Sequence, residues 1–447
     1  MICIPMDAQQ ATKTTILMFP WLGYGHLSAY LELAKALSSS SRNNFHIYFC
    51  STSVNLDSIK PKLVPSSSIQ FVELHLPSSP EFPPHLHTAN ALPRHLMPTL
   101  HQAFADSAPH FEAILLKLSP QLLIYDCFQS WAPRLASSLN IPAINFNTSG
   151  VSLISHGFHA INYPDSKLPF SNFVLHNHWK AKYASPPPEH TQNVKEAFFY
   201  CLNASCDVIL MNSFREVEGE YMDYLSLLSK KKVIPVGPLV YEPNEEEEDE
   251  NYWRINSWLD KKKALSTVLV SFGSESYASE EEKEEVGNGL EESEANFIWV
   301  ERDHEQQRRG FVERAGERAL VVKGWAPQAK ILKHGSIGGF VSHCGWNSVL
   351  ESIVFGVPII GVPVFGDQPF NAGVLEEAGV GVEAKRDPDG KIQRQEVAKL
   401  IKQVVVEKTR EDLRMKVREM SDVLRRKGDE RIDEMLAQIS LLCNINI

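Results

Sequence analysis

The segment from Trp325 to Gln368 reads WAPQAKILKHGSIGGFVSHCGWNSVLESIVFGVPIIGVPVFGDQ. It contains two Trp, two His, several Gly and three separate helix-start signals. At its centre an apolar run over 339–342 leads into His343-Cys-Gly-Trp-Asn-Ser-Val-Leu-Glu351. The run reads as a strand ending at Ser342, Gly345 permits a tight turn, and a helix is expected to begin near Asn347 or Ser348. A strand passing through a glycine turn into a helix is the repeating unit of an α/β sheet, so this segment sets the fold class.

The same segment supplies ligand chemistry. Backbone N–H groups at a helix start bind phosphate without lysine, which suits an acidic chain that holds an anionic ligand. The imidazole of His343 and the side chains of Asn347 and Ser348 add donors for a diphosphate. Glu351 shares a helix face with Asn347 and Ser348 and can accept both hydroxyls of a ribose. Read locally, Ser348-x-x-Glu351 is equally a capping box. Trp325 follows a strand, with Pro327 suited to a first helical position; in a cleft it would stack on a nucleobase, and elsewhere it would fill core. Asp367 is an N-cap candidate. In a cleft, Asp367 and Gln368 would read neighbouring sugar hydroxyls, the acid accepting and the amide both donating and accepting. Together these fragments describe a nucleotide-sugar site.

Strand candidates continue around this segment at 267–273, 297–300, 320–322, 358–362 and 380–384, with a Glu-rich helix at 279–292 and further helices at 395–408 and 410–442. Earlier in the chain, 15–19, 45–50, 69–76, 122–125, 143–146, 208–211 and 233–236 form another such series. The first of them is followed by Pro20-Trp-Leu-Gly-Tyr-Gly-His26 and a helix at 27–37. Polar, Pro-rich stretches at 78–84 and 185–189 are expected as ligand-side lids or plain surface loops. The charge run at 242–250 has no apolar face and reads as a solvated linker. Two α/β halves joined by a linker leave a cleft between the carboxyl ends of both sheets, where ligands of such architecture bind.

A chain of 447 residues exceeds one ordinary core, so two or three domains are expected. Its 43% hydrophobic and 22% charged composition is that of a globular protein. Lys+Arg 44 against Asp+Glu 55 gives a net charge of -11, which argues against nucleic acid or anionic membrane as a partner. The seven cysteines are scattered without a C-x-x-C spacing. That pattern implies reduced thiols in a cytoplasmic chain and no zinc site. No apolar run reaches the ~18 residues of a membrane span. Met6 reads as an alternative start, so residues 1–5 are expected to carry no structure.

In the first half, His26 follows the glycine-bearing turn at a helix start, where the positive end of the dipole disfavours imidazolium and keeps a neutral base available. Asp126 ends the strand LLIYD, a place from which a carboxylate can face the cleft and orient an imidazole. Such a pair is a general base with its orienter, acting on a hydroxyl that the acceptor itself brings. A capping or packing role for His26 fits the sequence equally well.

The 325–368 segment resembles, nearly position for position, the signature box of plant family-1 UDP-dependent glycosyltransferases, and Pro20 to His26, Asp126 and Val270 to Ser274 also match. The resemblance implies two Rossmann-like domains facing across a cleft, the glycosyltransferase fold of the B type. Residues 1–241 would bind the acceptor, 242–252 would be the linker, 253–429 would bind UDP-sugar, and a last helix at about 430–447 would return to the first domain. Carried over by position, Trp325 would stack on uracil, Ala326 would bond it through its backbone, and Gln328 and Glu351 would hold the ribose. His343, Asn347, Ser348 and Ser274, beside the Gly345 turn, would bind phosphates, and Trp346, Asp367, Gln368 and Thr148 would contact the sugar. A Gln at the last box position goes with glucose donors, which makes UDP-glucose the expected co-substrate. His26 would deprotonate the acceptor and Asp126 would stabilise the imidazolium.

Within the family the chain is similar to the branch-forming group that adds glucose to a sugar already on an acceptor, especially on triterpenoid glycosides of the mogroside type. FPWLGYGHLSAYLELAKAL, STSVNLDSIKPKL and PSSPEFPPHLHTANALP carry that similarity. The expected reaction is inverting transfer that makes a β-1,6 or β-1,2 branch, with no metal or other cofactor, since the helix dipole at the phosphate site would neutralise the diphosphate without one. The expected protein is a cytoplasmic monomer without membrane insertion. Trp21, Tyr24, Phe128, Trp179 and Phe370 are the candidate acceptor walls. A short 300–311 stretch and the unusual Val364-Phe-Gly366 depart from the family pattern near the sugar or acceptor, which bears on specificity. The alternatives are direct glucosylation of a flavonoid or terpenoid aglycone, a sugar-nucleotide epimerase, and a non-catalytic UDP-sugar binder. A nicotinamide oxidoreductase is disfavoured because the first turn lacks the third glycine of the dinucleotide fingerprint.

Overall fold

The computed structural model describes residues 13–39, 45–63, 68–163, 166–170, 175–184, 198–242, 250–273, 278–301 and 310–443. Ser274, the loop expected at 185–189, most of the acidic run, and 302–309 lie outside the described residues.

The apolar runs of the first half become β1 (Thr14–Phe19), β2 (Phe45–Ser51), β3 (Ile69–Glu73), β4 (Leu122–Tyr125), β5 (Ala143–Asn147), β6 (Val208–Met211) and β7 (Lys232–Pro235). They form one parallel sheet in the order β3-β2-β1-β4-β5-β6-β7. The second half contributes β8 (Thr267–Ser271), β9 (Asn296–Glu301), β10 (Ala319–Lys323), β11 (Ile337–Ser342), β12 (Ile359–Gly361) and β13 (Gly381–Glu383), in the parallel order β10-β9-β8-β11-β12-β13. Helices cover both faces, so the central strands are buried on both sides and read as continuous rather than alternating hydrophobicity. Strand order reverses beside β1 and β4 in one sheet and beside β8 and β11 in the other. Crevices at such switch points collect ligands at the carboxyl ends of the strands.

The helix expected over 410–442 is broken at Lys427 into Glu411–Arg426 and Gly428–Leu442. The two pieces serve different cores. Val417 and Leu424 pack in the second half, whereas Met435, Leu436 and Ile439 pack with Ile16, Ile47 and Phe49 of the first. Among the described residues no helix is long and apolar enough to cross a membrane.

The halves meet in a close seam. The indole N–H of Trp346 donates to the Asn212 carbonyl at 2.6 Å, Asn347 Nδ2 to the Gly25 carbonyl at 2.8 Å, and Tyr221 to Glu377 Oε2 at 2.7 Å. Gly150 is needed where side chains of the second half approach the main chain of the first, since a Cβ there would lie 2.6 Å from Asn371 Oδ1 and 3.3 Å from the Trp346 ring. Asn212 and Trp346 are both buried. Trp346→Phe keeps the aromatic volume and removes the donor from a buried carbonyl, which should cost about 1–3 kcal/mol. A lower denaturant midpoint checks this; an unchanged midpoint would remove the bond from the account of the seam.

Candidate active site

Three neighbouring strands of the first sheet deliver the basic group. His26 lies in the first turn of the helix Tyr24–Ser39 after β1, Asp126 directly follows β4, and Thr148 directly follows β5. His26 Nδ1 is 2.8 Å from Asp126 Oδ2 and 3.0 Å from the Thr148 hydroxyl. Asp126 is fully buried, and backbone N–H groups of Trp21 and Cys127 donate to its two oxygens at 3.0 and 2.7 Å. A carboxylate so satisfied takes the Nδ1 proton as its remaining donor, which fixes the tautomer and puts the basic lone pair on Nε2. The ring of Phe128 stands 5.6 Å from that of His26, and Trp21 packs on Phe128 and stacks on His101 at 4.6 Å. Trp21 and Phe128 therefore do border the base.

The second half delivers the other cluster. After β11, Cys344 takes the left-handed conformation (φ 64°) and Gly345 becomes the N-cap of the helix Trp346–Val354. The helix begins at Trp346, ahead of the expected start, and has no side-chain cap. Ser348 and Glu351 therefore do not form a capping box. Glu351 Oε2 instead accepts Gln328 Nε2 at 2.7 Å, and the same amide reaches Ser348 Oγ at 3.1 Å. The His343 imidazole lies between Gly273 and Gly345, and a Cβ on either would strike its Nε2. The first-turn N–H groups of a helix have no intrahelical partner, so this turn presents donors. Asp367 stands at the N-cap position of the helix Gln368–Ala378 but makes no capping bond; its Oδ2 accepts Asn371 Nδ2 at 2.8 Å. Trp325 is 44% exposed, while Ala326 beside it is buried with its carbonyl on the Gln328 N–H.

Against this geometry, two family models match the chain: "Glycosyltransferase, N-terminal domain" over residues 12–241 and "UDP-glucoronosyl and UDP-glucosyl transferase" over 254–423. A mogroside IIIx synthase of Siraitia grosvenorii is 70% identical across 99% of this chain and 96% of its own. The chain belongs to the UDP-glycosyltransferase family. A β-D-glucosyl crocetin β-1,6-glucosyltransferase of Gardenia jasminoides is 44% identical, covering 95% of this chain and 98% of that one. A Phytolacca americana glycosyltransferase solved with UDP-2-fluoro-glucose and pterostilbene matches at 27% identity and TM-score 0.73, over 96% of this chain and all of that one. The chain is thus a glycosyltransferase enzyme with the B-type fold of two facing Rossmann-like halves.

Several side chains of this glycosyltransferase stand apart from the places expected of them. The Trp346 indole is turned into the seam and is unavailable to a sugar. Gln368 Oε1 accepts the N–H groups of Val364 and Phe365 at 2.9 and 3.1 Å, so its oxygen shapes the loop before it. Thr148 meets His26. Tyr24, expected on the acceptor wall, stands edge-on to Trp325 at 4.5 Å between ring centres. Trp179 is buried against His178, Lys182 and Arg386, and Phe370 against His156 and Tyr183. Sequence reasoning missed Asn371, whose i+4 spacing from Asp367 was a usable signal, and Lys62, which had none. The Lys62 ammonium bonds the Tyr24 hydroxyl and lies 5.5 Å from the Trp325 ring centre.

Burial raises the Asp367 carboxyl above its ordinary range, against the Asn371 bond and the charge of His26 across the cleft. Burial likewise pushes Glu351 up to about 7, opposed by the Gln328 bond and the Lys62 charge. A carboxyl whose folded pKa lies above its unfolded value favours the fold fully below the unfolded pKa, near 4.5, and that contribution is lost as pH rises through about 7. Glu351→Gln removes this dependence. The melting temperature of the variant minus that of the parent, both without nucleotide, should therefore be larger at pH 8 than at pH 5. Equal differences at the two pH values would refute the buried carboxyl.

Proposed function

We propose that this chain is an inverting UDP-glucose-dependent glucosyltransferase that adds β-glucose to a sugar hydroxyl of a triterpenoid glycoside. The observation that carries the reading is the pair His26 and Asp126, held 2.8 Å apart after adjacent strands and facing the donor cluster around Asp367. The acceptor class rests on the activities of the relatives, a mogroside synthase and a glucosyltransferase acting on a glucosylated crocetin.

In this reading uracil stacks on Trp325 and meets the backbone of Ala326. The ribose hydroxyls replace the Gln328–Glu351 bond as partners of those two side chains. The diphosphate lies at the start of the helix Trp346–Val354, with Ser348 and His343 beside it. Asp367 and the Gln368 amide nitrogen bind the glucose hydroxyls. The acceptor hydroxyl gives its proton to His26 Nε2 as its oxygen bonds to glucose C1, and the C1–oxygen bond to the β-phosphate breaks on the opposite face. α-Linked donor thereby yields β-glycoside, and UDP departs with its charge against the helix dipole. Asp126 stabilises the imidazolium, while Thr148 helps hold the ring. Base catalysis of this type supplies about 10²–10⁴-fold in rate.

His26→Ala should abolish glucosyl transfer and leave UDP affinity, measured by calorimetry, within a few-fold of the parent. Retained turnover would sink the base assignment. A mass-spectrometric screen of UDP-glucose against triterpenols and their mono- and diglucosides tests the acceptor. Product from glucosides supports the branching reading, product from aglycones alone rejects it, and conversion of UDP-glucose without any acceptor would indicate an epimerase.

A further inference from the structure

A cleft of about 450 Å³ opens at the seam of the two halves, within the ~300–1,000 Å³ usual for small-molecule sites. Among the described residues, Arg94, His178 and Lys182 line it from the first half and Val364, Phe365 and Arg386 from the second. None of the groups given a role in the reaction lines it, yet both walls are fastened to them. Val364 and Phe365 hang from Gln368 Oε1, and Lys182 donates to the Val364 carbonyl at 3.1 Å. On the other side, the segment leading to Arg94 is tied to the turn before His26. The Ala89 N–H donates to the Leu22 carbonyl at 2.9 Å, and Asn90 Oδ1 accepts the Tyr24 N–H at 2.8 Å.

The charge pattern selects the occupant. Arg386 pairs with Glu282 at 2.7 Å and Lys391 with Glu281 at 2.9 Å, so two cations of the lining are met by carboxylates of the same lining, while Lys182 is held by the Val364 carbonyl. A phosphate or carboxylate would face those glutamates. An uncharged polyol instead meets acceptors and donors side by side, and Val364, Phe365 and Ile392 offer apolar surface to the C–H face of a pyranose. Arg386 is 7% exposed, and its Nε–H has no partner among the described residues, which leaves one buried donor for a ligand oxygen.

We propose that this cleft binds the outer sugars of an acceptor that already carries more than one glucose. The inference rests on the sugar-on-sugar reading above and extends it from the reacting sugar to the length of chain that the enzyme prefers.

The test uses the full chain with UDP-glucose and three acceptors, a triterpenol monoglucoside, its gentiobioside and its gentiotrioside, with the free triterpenol as a fourth. In Arg94→Ala and in Lys182→Ala, from opposite walls, the ratio of kcat/KM for the gentiotrioside to that for the monoglucoside should fall about tenfold, the scale of lost polar contacts to a bound sugar. Using a ratio removes any general loss from a disturbed Val364–Gly366 loop, and Arg94→Ala leaves the Lys182 bond to that loop intact. A ratio unchanged in both variants overturns the outer-sugar site while the sugar-on-sugar reading stands. Parent enzyme that glucosylates only the free triterpenol overturns both.

Discussion

The first two side chains of the helix Trp346–Val354 point away from the ligand its backbone is suited to hold. Trp346 and Asn347 direct their donors to carbonyls of the opposite half, at Asn212 and Gly25. Gly25 immediately precedes His26. The same turn therefore carries both the N–H groups proposed for the diphosphate and the bonds that set its distance from His26. A small rotation of one half on the other would lengthen both hydrogen bonds at once, and the buried one to Asn212 is expensive to leave unmade. The relative placement of donor and base is thus a property of the seam as much as of either sheet.

Around the cleft the carboxylates divide by how their oxygens are supplied. Asp126 receives two backbone N–H groups and the imidazole, and Glu218 receives the N–H groups of Val151 and Ser152 with the Ser213 hydroxyl. These are fixed by main chain. Asp367 and Glu351 rely on single carboxamides, Asn371 and Gln328. Burial raises both of the latter, which is the expected state of acids that await hydroxyl donors from a ligand. Burial also raises Glu218, despite its three donors, so burial by itself does not mark a ligand-binding acid.

The two sheets were legible in the sequence because parallel strands buried on both faces leave uninterrupted apolar runs, and β4, at 122–125, agrees at both ends. The positions of His26 and Asp126 were legible because each follows such a run. What local pattern could not reveal was pairing at long range. Nothing near Trp346 in the sequence points to Asn212, and nothing near Tyr24 points to Trp325. The capping-box signal at Ser348 and Glu351 was a true local preference that lost to Gln328, a residue two elements earlier. The break at Lys427 was hidden for a similar reason. Both pieces are amphipathic, and only the identity of the core under each one differs.

That break also bears on how the molecule is made. The second half has its sheet and its covering helix complete once Arg426 has emerged, whereas the first half, synthesised hundreds of residues earlier, still waits for Met435, Leu436 and Ile439 to close the surface over Ile16, Ile47 and Phe49. Domains generally fold in the order in which the ribosome delivers them. Here the first to appear is the last to be finished, and its apolar face stays uncovered until residues 435–439 have been made.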